Sequence, residues 1–430
     1  MTINEKDNTD PVGTAANRVT KFWRTGSEDD QENREGSVDN EKDAQNHEKG
    51  FLKGENLGFF LDESDKFKQT ELTPDTFIHP QDVAFLKNET DPKDKCLARL
   101  RSWVNGYEGK KIKEFQADDA TGLPLYPAVP QPFMGDLSAP RLLVVSMNPG
   151  FHEYSDWVMG RPFSDLLGST PGRLRNQLGK RLGFDPSDST DEKAQRVRKL
   201  AREQWKQEQE KLLRHIRGEE VLVPWSMDGR SPDFAFCPPL NCHGDGASFW
   251  GGGELFPQDP EEWTSGEYNW HTTYFGAPRD ETYLRSLFPD EERETSTSDL
   301  VAQVELHPYA SKTGANLKKL LHSEDFELNV SDQNADFGCF LPSQRPILEY
   351  VRTFMETAEE RNAIVVFRGS LFGDNGVKWL DNTIKSSESA KERCFYRDHQ
   401  TLYLKISDVL KNRATDKPTN KAALRKLLSP

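Results

Sequence analysis

The sequence predicts an α/β fold: a doubly wound, four-stranded, mostly parallel sheet flanked by helices. Three observations carry this. First, Leu142-Leu143-Val144-Val145 and Ala363-Ile364-Val365-Val366-Phe367 are unbroken apolar runs rich in β-branched residues, the pattern of strands buried on both faces in a parallel sheet. Second, Ile347, Leu348, Val351, Phe354, Met355 and Ala358 recur at helical spacing between Ile347 and Glu360, as expected of a helix covering such a sheet. Third, each strand runs into polar or turn-forming residues, and in open α/β sheets the carboxyl ends of strands are where ligands bind.

Composition narrows the class. The chain has 430 residues, a formal net charge of -15 and a charged fraction of 30%. No apolar run approaches the roughly 20 residues of a membrane span, and Met1 to Asp10 is polar and acidic. A cytoplasmic protein with no membrane partner is therefore expected. Five cysteines, an odd number, argue against a disulfide scaffold in a long chain. The acidic balance disfavours wholesale polyanion binding, though a local basic face is enough for it.

Residues 1–55 are expected to be a disordered acidic tail, because they carry too few apolar side chains to repay ordering. Residues 56–125 are expected to be a helical extension, and 126–430 the α/β domain, with an insertion at about 152–299. In that insertion, Ser189 to Arg217 reads as a helix with a solvated basic face. Cys237, Cys242 and His243 do not have the spacing of a zinc knuckle, so no metal or cofactor is expected. A cluster of aromatics and glycines runs from Phe249 to Phe275. It reads by default as packing, with base stacking the sharper alternative.

The central stretch is Arg141 to Phe151. Its strand stops in Asn148-Pro149-Gly150, a turn that fixes φ at the proline and permits positive φ at the glycine. The dipeptides alone favour an ordinary strand-ending turn. A second strand, Leu300 to Leu306, ends in His307-Pro308-Tyr309-Ala310-Ser311-Lys312. A third ends in Arg368-Gly369-Ser370. A fourth, Leu402 to Ile406, runs into a loop from Ser407 to Asn420 containing Lys411, Asn412, Arg413 and Lys417. Right-handed crossovers would bring these ends to one rim.

Pro132-Phe133-Met134-Gly135-Asp136, the strand Leu142 to Val145 and Asn148-Pro149-Gly150-Phe151 together resemble the uracil-DNA glycosylase superfamily. The similarity is to the branch with an Asn-Pro-Gly first motif, as in mismatch-specific uracil and thymine glycosylases. It covers roughly Pro127 to Phe151 and, more thinly, Leu300 to Asn420. The resemblance implies a uracil-DNA-glycosylase-like fold, DNA as partner in single- or double-stranded form, base flipping, and hydrolysis of an N-glycosidic bond in DNA repair. It sets Asn148 where the family positions the hydrolytic water and Phe151 near an aromatic that stacks on the flipped base. The end of the second strand, His307 to Lys312, falls where base recognition is supplied. The family's fourth strand is followed by a His-Pro-Ser-like loop, and Ser407 to Thr419 has no histidine. His307-Pro308-Tyr309-Ala310-Ser311 is similar to that loop in wording but falls earlier in the chain.

The chemistry suits these residue types. Glycosidic cleavage passes through an oxocarbenium-like sugar, so the enzyme must hold a water, stabilise the sugar's positive charge and accommodate an anionic base. Asn148 would orient the water, and His307 or Arg368 would stabilise the base. Glu305 or Asp408 would serve as a base. Phe151 and Tyr309 would stack on the flipped base. Ser311, Lys312, Lys411, Asn412 and Arg413 would contact the DNA backbone, with salt-dependent affinity. Taken singly, His307 before a proline reads as a loop residue, and Arg368 reads as a partner for Glu305. A non-catalytic nucleic-acid-binding or sensor relative is the alternative, and a hydrolase acting on free nucleosides a third.

Overall fold

The structure is a computed structural model. It describes residues 10–24, 71–72, 78–88, 110–111, 129–147, 210–221, 287–288, 300–309, 341–368, 371, 378–397 and 410–429. Among them a mixed α/β architecture forms, with a mostly parallel sheet and packed helices. The strands are β1 (Glu71–Leu72), β2 (Lys110–Lys111), β3 (Phe133–Met134), β4 (Leu142–Ser146), β5 (Val301–Glu305), β6 (Ile364–Arg368), β7 (Cys394–Arg397), β8 (Leu410–Asn412) and β9 (Pro418–Thr419). The main sheet has seven strands in the order β3-β5-β4-β6-β7-β8-β9. Its centre, β5-β4-β6-β7, is parallel throughout. The outer pairs β3–β5, β7–β8 and β8–β9 are antiparallel. The expectation of a four-stranded sheet is thus corrected: short antiparallel strands extend it at both edges. β7 was not expected as a strand, and the expected strand Leu402 to Ile406 lies outside the described residues.

β4 sits in the middle because its apolar run has no polar face to expose. Leu142, Leu143, Val144 and Val145 are all buried. One face of the sheet forms a single cluster of Leu142, Val144, Ile364, Val366 and Phe395 with Leu424 and Leu428 of the helix Lys421–Leu428. The other face, Leu143, Val145, Val365 and Phe367, is buried as well. That helix is capped at its start by the Asn420 side chain, which accepts from the Ala423 amide at 2.8 Å. Two arginines close its end: Arg141 donates to the Leu428 carbonyl and Arg393 to that of Leu427.

The expected covering helix forms as Gln344–Thr357, with Ile347, Leu348, Val351, Phe354 and Met355 buried. Against it packs Pro11–Arg24, whose Val12, Ala15, Ala16, Val19 and Trp23 make one buried stripe. Ion pairs Arg18–Glu349 and Arg361–Asp10 flank that contact. The expected disordered tail is corrected over these residues: small side chains at helical spacing bury well against a larger apolar neighbour. The extension at 56–125 contains the helix Pro80–Asn88, and also the β1–β2 pair. Residues 210–217 are helical within the expected basic helix, with Leu212, Leu213 and Ile216 buried. Among the described residues no helix is long and apolar enough to cross a membrane.

Candidate functional site

The parallel register decides what meets at the carboxyl ends of the central strands. Ser146 pairs with Glu305, and Arg368 pairs with Arg397. Between β4 and β6 the ladder runs to Val145 opposite Phe367, so the next step sets Ser146 level with Arg368. Side chains alternate faces along a strand, so Glu305, Ser146, Arg368 and Arg397 occupy one row on one face. Two residues earlier the same face holds Gln303, Val144, Val366 and Phe395. The row is therefore the first place where this face turns polar on all four strands. At about 4.8 Å per strand it spans about 14 Å.

Ser146, Glu305 and Arg397 are buried. Glu305 is 2% exposed and Arg397 5%, levels that charged side chains reach only where their charge is compensated. Glu305 Oε1 accepts from the Gln303 side-chain amide at 2.7 Å. Ser146 is fully buried and its Oγ has no hydrogen-bond partner among the described residues. The strand order places the β4 and β6 ends side by side where the chain turns from one side of β4 to the other, the position at which open α/β sheets hold ligands. Ser146 precedes Asn148 by two residues, and Arg368 ends β6.

His307 lies on the other flank of β4, its amide donating to the Met147 carbonyl at 2.7 Å. It is fully buried, and desolvation pulls its pKa down to about 4. Its Nδ1 lies 3.3 Å from the Tyr309 carbonyl, which can only accept, so Nδ1 carries the proton. Nε2 then offers a lone pair and has no partner among the described residues. In this tautomer the imidazole is neutral and presents a lone pair, which suits accepting a hydrogen bond from a neighbour.

Tyr309 is 1% exposed. Its hydroxyl donates to Asp82 and accepts from the His79 amide at 2.9 Å. Asp82 also accepts from the Ser343 amide at 2.9 Å. Burial raises the Asp82 carboxyl to about 6, against the lowering pull of those hydrogen bonds. Phe22 stacks on His79 at 4.2 Å and Trp23 meets the Tyr309 ring at 6.2 Å. The expected stacking role of Tyr309 is corrected: its ring is packed inside, and its hydroxyl ties three segments together.

Of the residues expected to contact the DNA backbone, Lys411, Asn412 and Arg413 are among those described. Leu410–Asn412 forms an antiparallel strand beside β7, not a loop after a parallel strand. Arg413 makes a two-pronged ion pair with Asp381, at 2.8 and 2.9 Å. The Asn412 amide nitrogen donates to the Lys391 carbonyl at 2.8 Å, and its oxygen accepts from the Thr415 amide at 3.0 Å. The Lys411 ammonium sits over the Tyr396 ring at 5.7 Å. These groups hold the sheet edge. Asn148, Phe151, Ser311 and Lys312 lie outside the described residues, and Arg368 is described by its backbone alone.

Sequence reasoning missed Ser146 and Arg397 as site residues. The signal for Ser146 was a polar residue closing an apolar run. Arg397 closes Cys394-Phe395-Tyr396-Arg397, too short a run to announce itself as a central strand. Among the described residues no group of histidine, cysteine, aspartate and glutamate is arranged to hold a metal. No protein-family model matches the sequence, and no curated protein or solved structure is significantly similar to it.

Proposed function

We propose that the chain is a base-excising enzyme of the DNA N-glycosylase class, built on a doubly wound sheet of uracil-DNA-glycosylase type. One observation supports this above the others: the polar row Glu305–Ser146–Arg368–Arg397 at the strand ends, whose Ser146 stands two residues before Asn148 in the sequence, the start of the motif that carries the resemblance. The order β5-β4-β6-β7 has the form of the flavodoxin-like doubly wound class, whose ligand crevice lies at the strands on either side of the reversal. In this reading Asn148 orients the attacking water and Phe151 stacks on the flipped base. Glu305 offsets positive charge on the sugar or takes a proton from the water. His307 accepts one hydrogen bond and keeps the pocket neutral. Phosphodiester contacts come from Lys312.

The experiment is incubation of the folded protein with single- and double-stranded DNA carrying uracil, a mismatched thymine or a bulky modified base. Strand scission after alkali reports abasic sites. Activity on one substrate, lost by at least about 100-fold in Asn148→Ala, is expected, since removal of one preorganised polar group costs that much. Intact DNA with every substrate rejects the enzyme reading. The neutral, interior His307 favours a second reading, a non-catalytic nucleic-acid-binding relative. That reading requires salt-dependent binding unaffected by Asn148→Ala.

A further inference from the structure

We infer that the amino-terminal helix Pro11–Arg24 is a strap that positions His307, acting through His79 and Tyr309. The inference rests on the reading above for what His307 does at the site, and adds how its imidazole is held. The contacts run without a break from the helix to that ring. The last turn of the helix supplies Phe22 and Trp23. The Phe22 carbonyl accepts from His79 Nε2 at 3.1 Å, and the Phe22 ring stacks on the imidazole at 4.2 Å. His79 Nδ1 accepts from the Gln81 amide at 3.2 Å, so both ring nitrogens are engaged in one neutral tautomer. The His79 amide donates to the Tyr309 hydroxyl at 2.9 Å, which itself donates to Asp82. Trp23 meets both rings edge-on, 5.4 Å from His79 and 6.2 Å from Tyr309. On its other side the Tyr309 ring meets that of His307 at 5.5 Å, and the Tyr309 carbonyl accepts from His307 Nδ1 at 3.3 Å. That hydrogen bond is long. Among the described residues it is the one that fixes which His307 nitrogen carries the proton, since Nε2 has no partner there. Asp82 anchors the tip of Tyr309, but the plane of its ring is set between Trp23 and His307. Withdrawing the helix therefore frees Tyr309 to turn and leaves His307 without a fixed tautomer, which is set by the hydrogen bond its other nitrogen makes.

The test reads the His307 tautomer in the full chain, labelled with nitrogen-15 at histidine, by nuclear magnetic resonance at pH 7. Its nitrogen–proton correlations are assigned by their loss in His307→Gln. Wild type is expected to show one tautomer, protonated at Nδ1. Ala16→Glu sets a carboxylate in the buried stripe of the helix and releases it. Tyr309→Phe keeps the ring and the carbonyl but loses the hydroxyl anchor. Each is expected to turn the single tautomer into a mixture of both. Arg18→Ala removes only an exposed ion pair with Glu349, a kind worth little, and should leave the tautomer as in wild type. If Ala16→Glu does not fold, Phe22→Ala and Tyr309→Phe decide. A helix that merely adds stability would lower the thermal midpoint and leave the imidazole unmoved. A single Nδ1-protonated tautomer in folded Ala16→Glu or Phe22→Ala therefore overturns the strap. Where base excision is detected, Ala16→Glu should slow it at least about tenfold, since small misplacements from remote changes cost that much or more, and Arg18→Ala should not. Excision unchanged by release of the helix overturns the strap's bearing on the site. A tautomer mixture in the variants of a protein that excises no base keeps the strap and rejects the glycosylase.

Discussion

Gly135 is where one side chain decides a connection. Its φ of +77° and its approach to β5, where an added Cβ would meet the Val301 carbonyl oxygen at 2.3 Å, leave no room for another residue. Left-handed φ in a non-glycine residue costs about 1–3 kcal/mol before any clash. Gly135→Ala is expected to lower unfolding free energy by at least about 2 kcal/mol, measured by urea denaturation. Tyr309 is the second such residue. Tyr309→Phe keeps the ring and removes the hydroxyl, leaving the Asp82 carboxylate and the His79 amide each short of a partner. An unsatisfied buried group costs about 1–3 kcal/mol. A Tyr309→Phe protein as stable as wild type would show that the hydroxyl ties nothing.

The helices Pro11–Arg24 and Lys421–Leu428 both depend on contacts remote in sequence. Pro11–Arg24 holds through its apolar stripe, and Trp23 is 2% exposed in it. Trp23→Ala is expected to cost about 3–5 kcal/mol, as for other buried aromatic truncations. A truncated chain lacking residues 1–24 should melt well below the full chain, whereas a merely solvated tail would leave the midpoint unchanged. Lys421–Leu428 relies on Arg141 and Arg393 to satisfy its last carbonyls, the end where positive charge also suits the helix dipole. Arg393 further reaches the Ala363 carbonyl at 3.4 Å. Removing that guanidinium loosens the helix from the sheet.

Among the described residues, burial of imidazoles makes stability depend on pH. His79 and His307 are held near a pKa of about 4, and His215 is lowered too, in each case by desolvation first. Unfolded imidazoles take up protons below about 6.5. The native ones stay neutral, so stability present at neutral pH is lost as pH falls from about 6.5 toward 4. Asp82 opposes this. Its native pKa of about 6 lies above the unfolded value of 3.8, so it favours the fold at low pH and withdraws that support as pH rises through 6. The two imidazoles held at about 4, set against one carboxyl, leave about one extra proton on the unfolded chain, a slope of about 1.4 kcal/mol per pH unit between pH 4 and 6, and His215 adds to it in the same direction. Chemical denaturation at pH 7, 6 and 5 should show decreasing stability, with a steeper loss in Asp82→Asn. Rising stability over that range would mean the histidines are solvated.

Three strands and the covering helix were legible in the residues, because each is fully buried and advertises its period without help. Leu142 to Val145, Leu300 to Leu306 and Ala363 to Phe367 are apolar enough to be strands in any compact arrangement. The stripe from Ile347 to Ala358 has one face to bury. β7 was not legible, since Cys394-Phe395-Tyr396-Arg397 is short and ends in a charge, and neither was Pro11–Arg24, whose alanines and valines look too weak amid acidic neighbours until a partner helix covers them. His307 and Tyr309 looked functional as a strand-end pair, yet their side chains turn inward, a direction that spacing along the chain does not encode. The row from Glu305 through Ser146 and Arg368 to Arg397 exists only through strand register. Register is fixed by which chains pair and at what offset, and that is settled when the sheet assembles around its buried faces.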